Sequence, residues 1–127
     1  MGEIFIVPTP IGNLGDFTYR SKETLIQVDK IYAEDTRTSK KLLDKYDINT
    51  PLFSYHQHNE HKIVDTLINE VKDKNLSIAL ISDAGTPGIS DPGFLLVNKA
   101  KENNINIYCG NKIIETFYTT NKYTYNA

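Results

Sequence analysis

Short unbroken apolar runs alternate with amphipathic stretches along this chain. Ile4, Phe5, Ile6 and Val7 follow one another inside Glu3–Pro8. A β-branched and aromatic run of that length predicts a strand buried on both faces. Ile31–Ala33, Leu52–Tyr55, Ser77–Ile81 and Ile105–Tyr108 read as further strands. Between them lie helical patterns. Thr18 is placed to cap a helix running to about Gln27. Thr36–Tyr46 puts Leu42, Leu43 and Tyr46 on one face. Asn59–Lys74 carries Ile63, Val64, Leu67, Ile68 and Val71 on one stripe, with Asn59 as N-cap. Gly93–Asn103 packs Phe94, Leu95, Val97 and Ala100. Strands separated by single helices predict an α/β fold, an open, mainly parallel five-stranded sheet with flanking helices. This grammar stops at Cys109. Residues 110–127 are rich in Tyr, Thr and Asn and read as a divergent polar tail after a domain at 1–109.

Composition narrows the class. With 127 residues, 39% of them hydrophobic and 24% charged, the chain suits one globular domain and excludes a disordered class. No apolar run approaches the ~20 residues of a membrane span. The start, Met1-Gly2-Glu3, lacks the basic region of a secretory signal. Cys109 is the single cysteine, which excludes an internal disulfide and fits a cytoplasmic setting. The net charge of -2 argues against a free-standing nucleic-acid binder.

Ligands of parallel sheets bind beyond the carboxyl ends of strands, and three loops fall there. Pro8-Thr9-Pro10-Ile11-Gly12-Asn13-Leu14-Gly15-Asp16 is stiffened by prolines, while its glycines allow close approach of a ligand. Asp83-Ala84-Gly85-Thr86-Pro87-Gly88-Ile89-Ser90-Asp91-Pro92-Gly93 is denser in Gly, Pro and Asp than a plain turn needs. Its backbone groups suit an adenine edge or a carboxylate, and its Asp residues suit ribose hydroxyls. The plain alternative is a rigid loop whose Asp91 caps the next helix. In the third, Glu34 and Asp35 precede a helix start and Arg37, Lys40, Lys41 and Lys45 follow. Acids at a helix N-terminus are favourable for dipole reasons alone. Arg37 and Lys40 are candidates to hold a phosphate.

His56, His58 and His61 echo the ligand spacing of metallo-β-lactamase-type hydrolases, but Glu60 stands where that pattern has aspartate, and the helix-alternating grammar differs. The reading is caps or polar contacts, with no metal. Walker-type and nucleophile-elbow motifs are absent.

Together, Val7–Asp16, Ala33–Arg37, Ser54–His56 and Ser82–Gly93 resemble, in order, the tetrapyrrole methylase superfamily, in the branch that methylates small-subunit ribosomal RNA. The likeness runs from about Glu3 to Tyr108. It implies S-adenosylmethionine-dependent 2′-O-methylation of a cytidine ribose in 16S ribosomal RNA, by a cytoplasmic, two-domain, usually homodimeric enzyme. It places Pro10, Ala84, Gly85, Thr86 and Ile89 against the cofactor, with Asp83 supporting the loop. Glu34, Asp35 and His56 are then the candidate bases, and Arg37 and Lys40 the RNA contacts. The family continues after its fifth strand with a Pro-Gly-Pro-Ser-Ala type segment and a second domain, whereas Cys109-Gly110-Asn111-Lys112 stands here. The expectation is a truncated or frameshifted product with weak or no turnover. The rival readings are a tetrapyrrole-type small-molecule methyltransferase and an inactive folded fragment.

Overall fold

The computed structural model describes residues 2–8, 17–56, 58–82, 91–109 and 112–113. Its elements run β1 (Ile4–Pro8), α1 (Tyr19–Gln27), β2 (Lys30–Ala33), α2 (Thr36–Lys45), β3 (Leu52–Ser54), α3 (Glu60–Asp73), β4 (Ile78–Ser82), α4 (Asp91–Glu102), β5 (Ile107–Cys109) and β6 (Lys112–Ile113). They form one sheet in the order β3-β2-β4-β1-β5-β6. The first five strands are parallel, as the alternation of strand and helix requires. β6 adds an antiparallel edge inside the segment expected to diverge, pairing Tyr108 with Ile113 and Cys109 with Lys112.

Strand alternation divides the core in two. Ile4, Ile6, Tyr32, Ile78 and Leu80 point to the face covered by α3 and α4, where Val64, Leu67, Val71, Leu96 and Ala100 are buried against them. Val7, Ile31, Ala33, Ala79 and Ile81 point to the other face, under Leu25 of α1 and Leu43 of α2. The result is a three-layer α/β/α sandwich. Among the described residues no helix is long and apolar enough to cross a membrane.

The element boundaries shift for local reasons. α4 starts at Asp91 rather than Gly93, since Pro92 is compatible with a first helical turn. The fifth strand starts at Ile107 rather than Ile105, because Asn104 takes a left-handed φ of 57° and the Ile105 N–H returns to the Ala100 carbonyl at 2.9 Å. Asp47 and Asn75 end α2 and α3 the same way, with φ of 56° and 57°.

Candidate functional site at the carboxyl edge of the sheet

The parallel register draws one row across the sheet. Ser54 pairs with Ala33, Ala33 with Ile81, and Ile81 with Val7. One residue further, Tyr55, Glu34, Ser82 and Pro8 emerge at the same edge, and the Tyr55 N–H still donates to the Ala33 carbonyl at 2.9 Å. The four sequence blocks therefore leave four neighbouring strands at one edge. After β1 and β2 the chain turns into α1 and α2 on one face, and after β4 into α4 on the other. β4 lies between β1 and β2, so the connections diverge on both of its sides, which is the arrangement that opens a ligand crevice. Pro8 and Ser82, paired in the ladder, are the last described residues before the two glycine-proline loops. Pro10, Asp83, Ala84, Gly85, Thr86 and Ile89 lie outside the described residues. A cavity of about 230 Å³ adjoins the exit of β1, lined by Val7, Pro8, Thr18, Ser21 and Tyr108 among others.

Glu34 is half-buried directly after β2. Asp35 follows it but turns toward α2. It is the N-cap, accepting from the backbone N–H of Arg37 at 3.1 Å and of Thr38 at 3.3 Å. Its second oxygen accepts from the Thr38 hydroxyl at 3.0 Å. The Thr38 backbone and hydroxyl, with Arg37, hold its carboxyl below the ordinary carboxylate value. Such a carboxylate is committed to the helix start.

His56, half-buried after β3, is fixed at both ends. Its backbone N–H donates to Asn59 Oδ1 at 2.7 Å, and its Nδ1 accepts from the His58 N–H at 3.0 Å. A neutral ring then carries its proton on Nε2. The structure corrects the expected role of Asn59. It occupies the N-cap position of α3, but its side chain makes no cap bond there. It turns back, and Nδ2 donates to the Ser54 carbonyl at 3.2 Å, so it pins the β3–α3 connection instead.

Two further residues at this edge are not among the candidate site residues. Tyr55 is fully buried, and burial, with the charges of Glu60 and Glu34, raises its hydroxyl pKa above the ordinary tyrosine value. Glu60 has a buried Oε2 with no hydrogen-bond partner among the described residues. The histidines do not converge on a metal site: His61 is 85% exposed beside Glu60, and among the described residues no group of three His, Cys, Asp or Glu is placed to hold an ion. Arg37 and Lys40 both line an open groove of about 500 Å³ along α2.

Comparison with known proteins agrees with this geometry. The profile of the tetrapyrrole (corrin/porphyrin) methylases matches residues 3–109. The chain is 54% identical over 107 residues to the ribosomal RNA small subunit methyltransferase I of Mycoplasmopsis pulmonis (strain UAB CTIP), covering 84% of this chain and 48% of that protein. It is 53% identical to the proteins of the same name from Synechocystis sp. (strain ATCC 27184 / PCC 6803 / Kazusa) and Haemophilus influenzae (strain ATCC 51907 / DSM 11121 / KW20 / Rd), covering 84% of this chain in each case and 38% and 37% of those proteins. The chain thus spans less than half the length of these relatives.

Proposed function

The chain belongs to the tetrapyrrole methylase family, and from that premise we propose that it serves S-adenosylmethionine-dependent 2′-O-methylation of a cytidine ribose in 16S ribosomal RNA, in the cytoplasm and as a homodimer. The observation that carries the reading is the exit of all four sequence blocks from neighbouring strands at one switch-point edge. The crevice there suits a donor held by backbone. Pro10, Ala84, Gly85, Thr86 and Ile89 would hold it, with Asp83 behind them. The bound sulfonium supplies an electrophilic methyl group.

The residues of the edge divide the remaining work. The donor would supply its methyl group to the ribose 2′-oxygen, and the residues of this edge would orient that hydroxyl and take up its proton at a base. Orientation supplies much of the rate. Of the three candidates, Glu34 suits the base best. Asp35 has both oxygens engaged in the cap, and His56 Nδ1 is already taken as acceptor by the His58 N–H. Glu34, half-buried directly after β2, takes no part in the α2 cap. Glu34 therefore takes the proton, and His56 Nε2–H donates to the substrate.

Titration calorimetry with S-adenosylmethionine, paired with transfer of a labelled methyl group to unmethylated small subunits, tests this. Saturable donor binding is expected, with weak or no ribose labelling by the 127-residue chain itself. Glu34→Gln should keep the binding and remove whatever transfer is seen, since a positioned base is worth roughly 10²–10⁴-fold. Transfer to a tetrapyrrole instead of RNA would replace the substrate. No donor binding would overturn the reading.

A further inference from the structure

We propose that the groove between α2 and the chain entering β3 seats the sugar–phosphate backbone of single-stranded RNA beside the nucleotide to be methylated; this rests on the ribosomal RNA reading above. The groove encloses about 500 Å³, with Arg37, Lys40 and Asn49 among its rim residues and Leu43 and Ile48 beneath. Arg37 and Lys40 are one helical turn apart and share a face of α2. Arg37 is exposed and forms no ion pair among the described residues. Lys40, 73% exposed, pairs at 3.7 Å with Asp44, which also lines the groove. An exposed pair of that length is weak, so a phosphate competes for the ammonium readily.

The groove's position matters as much as its charge. Arg37 stands two residues beyond Asp35, at the carboxyl edge, and the groove leads from there along α2. A strand gripped at Arg37 therefore has its next nucleotide over the ends of β2 and β3, where Glu34 and His56 emerge. The buried Leu43 and Ile48 form an apolar floor, and the exposed Asn49 supplies an amide. Those features suit an unstacked base or ribose, which a duplex does not present. α2 carries four basic residues against one acid, whereas α3 on the opposite face carries more acids than bases.

The test is fluorescence anisotropy of the 127-residue chain with a labelled single-stranded RNA from the small-subunit decoding region, at several salt concentrations. Removing two phosphate contacts lowers the slope of log K against log salt by about 1.4 for a single strand. Arg37→Gln with Lys40→Gln should give that fall with an unchanged thermal midpoint. Lys62→Gln with Lys72→Gln, on α3, should leave the slope as it is. RNA binding whose slope is insensitive to the α2 pair, or equally sensitive to the α3 pair, would overturn the groove and leave the substrate reading standing. Absence of RNA binding even at low salt would overturn both.

Discussion

Glu70 offers a stringent test of how the helix layer is fixed to the sheet. It is 5% exposed, yet charged, and sits among the apolar residues of α3. Its Oε2 pairs with Lys30 at the start of β2, and its Oε1 accepts from the Tyr32 hydroxyl at 2.9 Å. The Lys30 ammonium also lies 5.1 Å from the centre of the Phe53 ring. Removing one partner of a fully buried pair costs about 3–5 kcal/mol, because the other charge is stranded. The Lys30 side chain is 29% exposed, so water shares the load, and Tyr32 still donates to the carboxylate. Lys30→Met should therefore cost about 2–3 kcal/mol, below the full range for a dry pair. Glu70→Leu leaves the Tyr32 hydroxyl without an acceptor and should cost about 1–3 kcal/mol.

The double variant strands no charge. Replacing both members of a buried pair by apolar residues is often neutral, so Lys30→Met with Glu70→Leu should cost no more than Glu70→Leu alone. Urea unfolding followed by circular dichroism reads all four corners of the cycle, with an unchanged m-value as the sign that only the native state is altered. A coupling of about 2 kcal/mol is expected between such contacting residues. Additive costs, or a Lys30→Met cost below about 0.5 kcal/mol, would show an ordinary surface bridge and refute the view that this pair fixes α3 to β2.

Two further outcomes follow from single groups. Asp35→Asn should preserve the start of α2, since Asn caps as well as Asp, whereas Asp35→Ala should lower the thermal midpoint; because folding holds this carboxyl below its ordinary value, its stabilisation is present above that value and lost as pH falls below it, so the Asp35→Asn protein should show a flatter acid limb. Tyr32 and Tyr55 are both raised from the ordinary 10.0, chiefly by burial, so the unfolded chain loses those protons first and stability should fall as pH rises past that value; tyrosinate absorbance together with urea midpoints checks this, and an alkaline limb unchanged by Tyr32→Phe would contradict it.

Much of the fold could be read from the sequence because it rests on local pattern. The run Ile4–Val7 and the stripe Ile63, Val64, Leu67, Ile68 and Val71 name a strand and a helix through spacing alone, and all are buried except Phe5 and Ile63, which are half-buried. The candidate site was legible at the level of strand ends, since a parallel sheet forces its carboxyl ends to one edge. What escaped depends on distant partners. Glu70 reads as a solvent position until Lys30, forty residues earlier, is folded against it. Gly2 looks like an unremarkable terminal residue, yet a Cβ there would lie 1.9 Å from the Leu76 carbonyl oxygen. The Asn59 side chain had two destinations, the α3 N-terminus and the His56 N–H, and only the path of the β3–α3 connection decides between them. Asp35 read only as an acid before a helix and a candidate base, and its contacts with Arg37 and Thr38 add the role of capping α2.

Net charge is a property of the whole chain, and a layered domain does not present it evenly. A formal charge of -2 argues against nucleic acid only if the chain presents one average field. It does not, because charges more than about 8 Å apart in physiological salt are largely screened from one another, and a sheet with helices on both faces separates its two outer surfaces by more than that. The exposed acids of α3, Asp65 and Asp73, lie on one side, and Arg37, Lys40, Lys41 and Lys45 of α2 on the other. An anion approaching the carboxyl edge from the α2 side meets those four cations in a band one helix long, while the acids lie behind the sheet. For a domain layered in this way, charge is better counted by helix face than by chain, and the RNA groove proposed above lies along the basic face of α2.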